Sequence, residues 1–504
     1  MTREALVFDT GEISHSLVSA HLQRQMERVG VETEAVDRLS TDCGAILLSF
    51  RSPQPGFVNS LVALRNAGLE VDRNKRAQSD PLVIAGGTAM INPFPISKFV
   101  DAIYVGDADL YTFEAIGQVC NTGESKEKRL GRLAKAGFYV PVMADQSTKP
   151  IFHHAESPDF AWVVGKNVVQ HYNSPGDMAS TTAYIEIKKG CGMGCVFCID
   201  ADNHSRVMPI AEYEQLVRSI LSSHPGLDSL RMSFPSLTKN ELLSFLDVTE
   251  MLRADTDSHF LINLGSTMPN HFDLEVASRL VKLGQKVMTF APEIAEGERD
   301  GTDLRKSYKR WLTDRALFSA IENGLQAGMS ELVLYHLTGF PGETDSHIDA
   351  FVEMMKKIER EYSKLDKITV ISGPVFPTVG TDLERAPQIP FGEADRRWKF
   401  FKYHFDVGSK VNPVWILNMP GKVRYNTTGA GADVYFCQAY YHRTDKLMGK
   451  AINALSRDVR NLDDVFRLGV AAHELVLSGA GIDVGAMFGA KDIVTSERID
   501  RQVI

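Results

Sequence analysis

The sequence predicts an α/β protein in three parts. A Rossmann-like (flavodoxin-like) doubly wound sheet comes first, then a partial (β/α)6 TIM-like barrel, then a mostly helical C-terminal region. Three observations predict it. Short apolar runs alternate with amphipathic stretches through residues 1–145. Six further strand–helix units follow over residues 179–380. Cys191, Cys195 and Cys198 fall together in a loop after the first strand of that second series, the end where such barrels keep their chemistry.

In the first part, Ala5–Phe8 reads as a strand ending at Asp9-Thr10-Gly11. Leu17, Val18, Leu22 and Met26 mark the apolar face of a helix that stops at Gly30. Val31–Val36 is the second strand. Ala45–Phe50 is a continuous apolar run of the buried parallel type. Gly56–Ala67 reads as a helix, Pro81–Ala85 as a strand and Ile103–Val105 as the last strand. Doubly wound sheets bind ligands beyond the carboxyl ends of their strands. Here those ends carry Thr10 and Gly11, Phe50, Arg51 and Ser52, Gly86, Gly87 and Thr88, and Gly106 and Asp107.

Residues 146–178, with Pro150, Pro158 and Pro175, read as a linker. In the barrel, Thr182–Ile187 delivers the cysteine loop. Ser229–Ser233, Phe260–Leu264, Val287–Phe290, Glu331–Leu337 and Lys367–Ser372 follow as strands. Ile210–Leu221, Lys239–Leu252 and Asp314–Ala327 are helices between them. Residues 381–504 are aromatic-rich and read as a small helical domain or lid. Tyr425, Tyr440 and Tyr441 are its candidates for lining a substrate pocket.

The chemistry concentrates in Lys189-Gly-Cys-Gly-Met-Gly-Cys-Val-Phe-Cys198, a C-x3-C-x2-C triplet in a chain with 6 cysteines among 504 residues. Three thiolates on one loop can hold three irons of a 4Fe-4S cube and leave the fourth iron open to a chelating small molecule. Structural zinc wants four closed ligands, and only His204 follows nearby as a fourth. A disulfide framework would not crowd three thiols into eight residues. Glycines at 190, 192 and 194 let the loop wrap a bulky inorganic group.

Composition fits a multidomain enzyme. Hydrophobic residues are 44% and charged residues 24%, enough for a large core. A net charge of −9 argues against bulk nucleic-acid binding. The N-terminus lacks a signal-peptide shape and no apolar run approaches a membrane span, so a cytoplasmic chain with no membrane partner is expected. Few, clustered cysteines fit a reducing compartment.

The triplet resembles the cluster loop of radical S-adenosyl-L-methionine (SAM) enzymes. Thr289-Phe-Ala-Pro-Glu293 and Leu337-Thr-Gly-Phe-Pro-Gly-Glu-Thr344 resemble two further patterns of that family, in the family's order. Taken singly each is ordinary, since Pro-Gly is a turn and Glu293 could be a surface acid. The resemblance implies a 4Fe-4S cluster on Cys191, Cys195 and Cys198, and Phe197 beside the adenine of SAM. It implies Glu293 near the ribose and close backbone approach at Gly339, Pro341 and Gly342, with Ser233 also in the SAM site. Arg305, Lys306 and Arg310 are candidates for the SAM carboxylate, or a solvated helix face.

The first part is similar to the cobalamin-binding domain that precedes many radical SAM domains. Leu82-Val-Ile-Ala-Gly-Gly-Thr88 and Phe99-Val-Asp-Ala-Ile-Tyr-Val-Gly-Asp107 carry that likeness. It implies Thr10, Gly11, Phe50, Arg51, Ser52, Gly86, Gly87, Thr88, Gly106 and Asp107 as cobalamin contacts. No D-x-H-x-x-G is present, so no histidine is assigned to cobalt. Taken together, the resemblances imply a cobalamin-dependent C-methyltransferase using methylcobalamin, with a small-molecule or peptide substrate. An electron donor such as flavodoxin or ferredoxin is implied as well. A cyclase or ring-rearranging enzyme with the same cofactors, or an iron–sulfur sensor, stays open. A methylthiotransferase is disfavoured, because that family carries three more cysteines in its N-terminal domain.

Overall fold

The computed structural model describes residues 3–9, 17–36, 38–50, 60, 63–87, 90, 93, 96–97, 99–120, 123–144, 150–154, 159–166, 181–201, 205–309, 311–375, 381–383, 386, 389, 391–405, 409–415 and 501–503. They fall into two compact units. One runs through Ala161 and takes in residues 381–383, 386 and 501–503; the other runs from Trp162 to Val375 and takes in residues 389–415.

In the first unit, β1 (Arg3–Asp9), β2 (Thr33–Ala35), β3 (Cys43–Ser49), β4 (Leu82–Gly86) and β5 (Ala102–Ile103) form one sheet in the order β2-β1-β3-β4-β5. Every pairing in it is parallel. This is the doubly wound flavodoxin-like order, whose ligand crevice lies at the carboxyl ends of β1 and β3. Apolar residues cover both faces. Ile46, Leu48, Val83 and Ala85 pack in one cluster, and Ala45, Leu47, Leu82 and Ile84 in another. That two-sided burial is why the strands read as unbroken apolar runs. Half of the helix expected over Gly56–Ala67 lies outside the described residues; Ser60 and residues 63–66 are helical, with Ala67 N donating to Ala63 O.

The stretch read as a linker carries two strands. β6 (Phe152–His154) runs alongside Val105–Asp107: His153 N donates to Val105 O, and Asp107 N to His153 O. β7 (Trp162–Lys166) pairs antiparallel with the first barrel strand. Polar residues and prolines around these two short segments masked them in the sequence.

The second unit is a barrel built from two four-stranded sheets. One holds β7, β8 (Thr181–Glu186), β11 (Ser229–Ser233) and β12 (Leu261–Leu264) in the order β12-β11-β8-β7. The hairpin β9 (Lys188–Lys189) and β10 (Arg206–Val207) stands apart from it. The other sheet runs β13 (Val287–Glu293), β14 (Glu331–Thr338), β15 (Lys367–Pro374) and β16 (Val411–Trp415). At the seam between them a buried side chain replaces the ladder. Gln285 Oε1 accepts from Leu264 N at 2.9 Å, and its Nε2 donates to Val287 O at 2.9 Å. Helices start on built caps; Thr238 and Glu241 form a reciprocal capping box before Lys239–Asp255.

The six expected βα units are present, with additions at both ends. Helix Phe391–Tyr403 and β16 belong to the barrel unit rather than to a separate helical region. Pro413 disguised β16 in the sequence. A proline without N–H fits there because β16 is an edge strand. Among the described residues no helix is long and apolar enough to cross a membrane.

Candidate active site

The cysteine loop follows β8 and β9 at the carboxyl end of the barrel. Gly190, Gly192 and Gly194 have φ of 67°, 73° and 65°, so the backbone turns left-handed at every second residue around Cys191. A Cβ at Gly192 or Gly194 would meet nothing within 4 Å. The requirement there is conformational, and L-residues resist it. A tight turn then closes the triplet, with Cys198 N donating to Cys195 O at 3.0 Å. Cys195 is buried, while Cys191 and Cys198 are half-buried.

Residues distant in sequence hold the thiols. Trp311 Nε1 donates to Cys195 Sγ at 3.3 Å, and Cys191 Sγ donates to Ser236 Oγ at 3.1 Å. Burial pushes the Cys198 thiol up to about 12, helped by the Asp200 carboxylate. Burial also raises Cys195, opposed by the Lys309 ammonium and the Trp311 N–H. Iron binding at such a loop must release protons. Among the described residues no three His, Cys, Asp or Glu side chains converge as a single metal ion requires. Cys43 and Cys120 lie in the first unit. Cys120 is buried and donates to Ile116 O, and Cys43 donates to Ser40 O.

Glu293 ends β13 with φ +64°, and Ile294 N donates back to Pro292 O at 2.8 Å across it. That is a strained γ-turn with a non-glycine centre. Glu293 is 7% exposed, and its Oε1 accepts from Lys309 Nζ at 3.1 Å. Lys309 Nζ also donates to Ala291 O, and lies 5.9 Å from the Phe197 ring centre and 5.1 Å from that of Trp311. Among the described residues Lys309 is therefore the cation paired with Glu293, and the sequence reading passed over it.

Arg305 sits elsewhere in the wall. It is 1% exposed, donates to Ile294 O and pairs with Asp314 Oδ1 at 3.1 Å. It holds the turn after Glu293. Lys306 is exposed, and Arg310 lies outside the described residues.

An aromatic stack joins three loops. Phe197 meets the Phe340 ring edge-on at 5.5 Å, and Tyr308 stacks on Phe340 at 4.8 Å. Tyr308 OH donates to Pro341 O, and Val196 N to Tyr308 O. Gly339 has φ +93°, and a Cβ there would strike the Ile389 side chain. Glu343 pins the same loop, accepting from Thr338 Oγ1, Gly339 N and Arg397 Nη1. Ser233 is half-buried at the end of β11, where its carbonyl accepts from Ile187 N. The structure thus brings Cys191, Cys195, Cys198, Phe197, Ser233, Glu293, Gly339, Pro341 and Gly342 to one face of the barrel. Ser236, Lys309, Trp311 and Arg397 were missed, because each reaches the site only through tertiary packing.

The cobalamin contacts fare differently. Thr10, Gly11, Arg51, Ser52 and Thr88 lie outside the described residues, as do Tyr425, Tyr440 and Tyr441. Phe50, expected as a cobalamin contact, is a core residue with a fully buried ring. Gly87, at φ +106°, has the Phe50 carbonyl oxygen 2.5 Å from where a Cβ would stand. At Gly106, φ +119°, the His153 carbonyl oxygen is at 2.2 Å from that position. Chain packing thus already accounts for these two glycines, and Asp107 N is bonded to His153 O. Gly86 is open: at the carboxyl end of β4, a Cβ would meet nothing within 4 Å. Among the described cradle glycines it alone leaves room for a bound group.

Comparison with known proteins agrees on the barrel. Residues 185–355 match the radical SAM superfamily, and residues 20–141 match the N-terminal region of radical SAM proteins. An uncharacterized protein of Methanocaldococcus jannaschii is 22% identical over 311 residues. That match takes in 62% of this chain and 63% of the other, so the chain spans less than two thirds of its relative's length. Similar solved structures include the radical SAM methyltransferase TsrM of Kitasatospora setae, with tryptophan substrate and a SAM analogue bound. It is 14% identical with a TM-score of 0.46, covering 73% of this chain and 72% of that one. A radical SAM methyltransferase from Sphaerobacter thermophilus is 14% identical with a TM-score of 0.33, covering 53% and 78%. With one radical SAM match across the barrel and another across the first sheet, the chain belongs to the radical SAM superfamily.

Proposed function

We propose that the chain is a cobalamin-dependent radical SAM C-methyltransferase acting on an unactivated carbon of a small-molecule or peptide substrate. One observation carries the reading: the three-cysteine loop opens beside Glu293, Lys309 and the Phe197–Phe340 wall. Cys191, Cys195 and Cys198 would hold a 4Fe-4S cluster, which supplies the electron that cleaves SAM to methionine and a hydrogen-abstracting 5′-deoxyadenosyl radical. Methylcobalamin would supply the methyl group, and the support for it is the β2-β1-β3-β4-β5 order with open space at Gly86.

The chain's own groups divide the rest. Lys309 fixes Oε1 of Glu293, which leaves the other oxygen to accept from ribose hydroxyls. Phe197 and Phe340 offer apolar walls to an adenine and keep water from the site. Trp311 donates a hydrogen bond to the Cys195 sulfur, which would tune a bound cluster's potential, and Ser236 holds the cysteine loop through the Cys191 carbonyl. A flavodoxin or ferredoxin is the class of electron donor this chemistry calls for.

The test is anaerobic reconstitution with iron, sulfide and cobalamin, followed by SAM carrying a deuterated methyl group and candidate substrates. The reading expects 5′-deoxyadenosine and a product bearing the labelled methyl. Cleavage of SAM with unlabelled, rearranged product would favour the cyclase reading. Cluster loading without cleavage would favour a sensor.

A further inference from the structure

The interior of the barrel carries a charge that the cluster and SAM readings leave unused. Arg231 sits at the middle of β11, 7% exposed. In register it lies between Tyr184 of β8 and Asn263 of β12, so all three share one face of the sheet. The neighbours Leu230 and Met232 take the opposite, helix-covered face and are fully buried. The guanidinium carbon stands 5.6 Å from the Tyr184 ring centre.

Across the lumen, Tyr335 of β14 packs with Val333, Ile371, Val287 and Val414, the inward residues of the second sheet. The charges of Arg231 and Glu293 both act on the Tyr335 phenol, in opposite senses. The groups that act on Arg231 are Tyr184 and Tyr335; among the described residues no carboxylate does so. Burying a guanidinium among neutral side chains is costly, and a buried cation ordinarily has an anionic partner. Arg231 lies two residues, about 6–7 Å, deeper than Ser233 at the barrel mouth.

We infer that Arg231, flanked by Tyr184 and Tyr335, is a recognition subsite for a carboxylate on the substrate. A guanidinium presents a planar fork that matches a carboxylate bidentately, and the two phenols suit a flat ligand body. The substrate class is then an acid small enough to enter the barrel, with its carboxylate inward and its reacting carbon toward Glu293 and the cysteine loop. This rests on the barrel mouth being the reaction site, as proposed above.

Binding tests it without turnover. Reconstituted protein holding SAM is titrated calorimetrically with benzoate and with benzamide, probes matched in shape and different in charge. Benzoate should bind at least tenfold more tightly. Arg231→Met should erase that preference with SAM affinity held within twofold, and Arg231→Lys should keep part of it. Tyr335→Phe should weaken benzoate severalfold. Equal binding of the two probes, or binding of neither, overturns the inference in the wild-type protein alone, whatever the variants do. A tenfold loss of SAM affinity in Arg231→Met also overturns it, because the guanidinium would then serve the methionine carboxylate of SAM. SAM cleavage in the same preparation without probe reports separately on the reaction site.

Discussion

Replacing Glu293 with Gln tests the electrostatics at the barrel mouth. The carboxylate is buried, and Lys309 holds one of its oxygens at 3.1 Å. Glutamine keeps the shape and one acceptor oxygen but loses the charge. A hydrogen bond to a charged group contributes about 1.5–3 kcal/mol, so SAM should bind roughly 10- to 150-fold more weakly. The iron content should not change, since no cysteine partner is touched. Alanine would be a poorer probe. It removes the acceptor oxygen as well as the charge, so the buried Lys309 ammonium loses the side-chain partner that glutamine still offers, a change that costs on the order of 3–5 kcal/mol in stability and would mix folding with binding. Backbone strain adds a second readout. Because Glu293 has φ +64°, Glu293→Gly should melt higher than Glu293→Ala by the equivalent of about 1 kcal/mol, both having lost the same carboxylate. SAM titration on anaerobic protein with counted iron, alongside thermal melts, measures both. SAM affinity within twofold of wild type in Glu293→Gln would refute the ribose role.

Three further outcomes are expected. Cys191→Ala, Cys195→Ala or Cys198→Ala should each lose the iron and 5′-deoxyadenosine formation, while Cys43→Ala and Cys120→Ala keep both; iron analysis decides. Trp311→Phe removes the N–H that reaches Cys195 Sγ. A loaded cluster should then become harder to reduce by about 40 mV, the equivalent of one hydrogen bond of ~1 kcal/mol, and an unmoved potential in a redox titration would exclude that bond. Complete burial holds His336 down to about 3 against an ordinary 6.5, so it stays neutral in the fold while the unfolded chain takes a proton. Its penalty is absent above about pH 6.5 and grows by on the order of 1.4 kcal/mol per unit of pH down to that lower value. His336→Leu should flatten the acid-side fall of the urea midpoint, and parallel curves for the two proteins would contradict this.

What could be read in the sequence is what is local. The cysteine loop announces itself because its ligands and its left-handed glycines lie within nine residues. Glu293 and the 339–344 loop follow strands whose apolar runs are plain. Trp311 is 116 residues from the sulfur it contacts, and Arg397 is 54 residues from Glu343, so no spacing could pair them. The choice among basic residues failed for a geometric reason. The helix after Asp303 spans only Leu304–Tyr308, and the chain turns at Lys309. Arg305 is thereby directed into the wall and Lys309 into the site, although both lie on one short basic stretch. Arg231 was invisible for a different reason: a lone arginine in a strand says nothing until the register sets it beside Tyr184 and the fold brings Tyr335 to it.

The glycines of the first sheet show where a sequence likeness outruns its cause, and they define the sharpest test of cobalamin binding. Gly86, Gly87 and Gly106 looked alike as a cofactor cradle. Gly87 and Gly106 are glycine because neighbouring backbone stands where a Cβ would be, at Phe50 and His153. Gly87→Val therefore forces a branched residue into positive φ against a carbonyl, and should destabilise the sheet by more than about 2 kcal/mol whether or not a cofactor binds. That variant says nothing about cobalamin. Gly86 lies within β4 outside the left-handed region and faces open space, and a β-branched residue suits a strand. Gly86→Val should therefore fold, melt and load iron like the wild-type protein. If the space above Gly86 admits part of the cofactor, the valine should exclude it and cobalamin uptake should fall at least tenfold. Uptake equal to wild type, measured by absorbance after gel filtration, would remove Gly86 from the cradle and leave the first sheet without a described cobalamin contact.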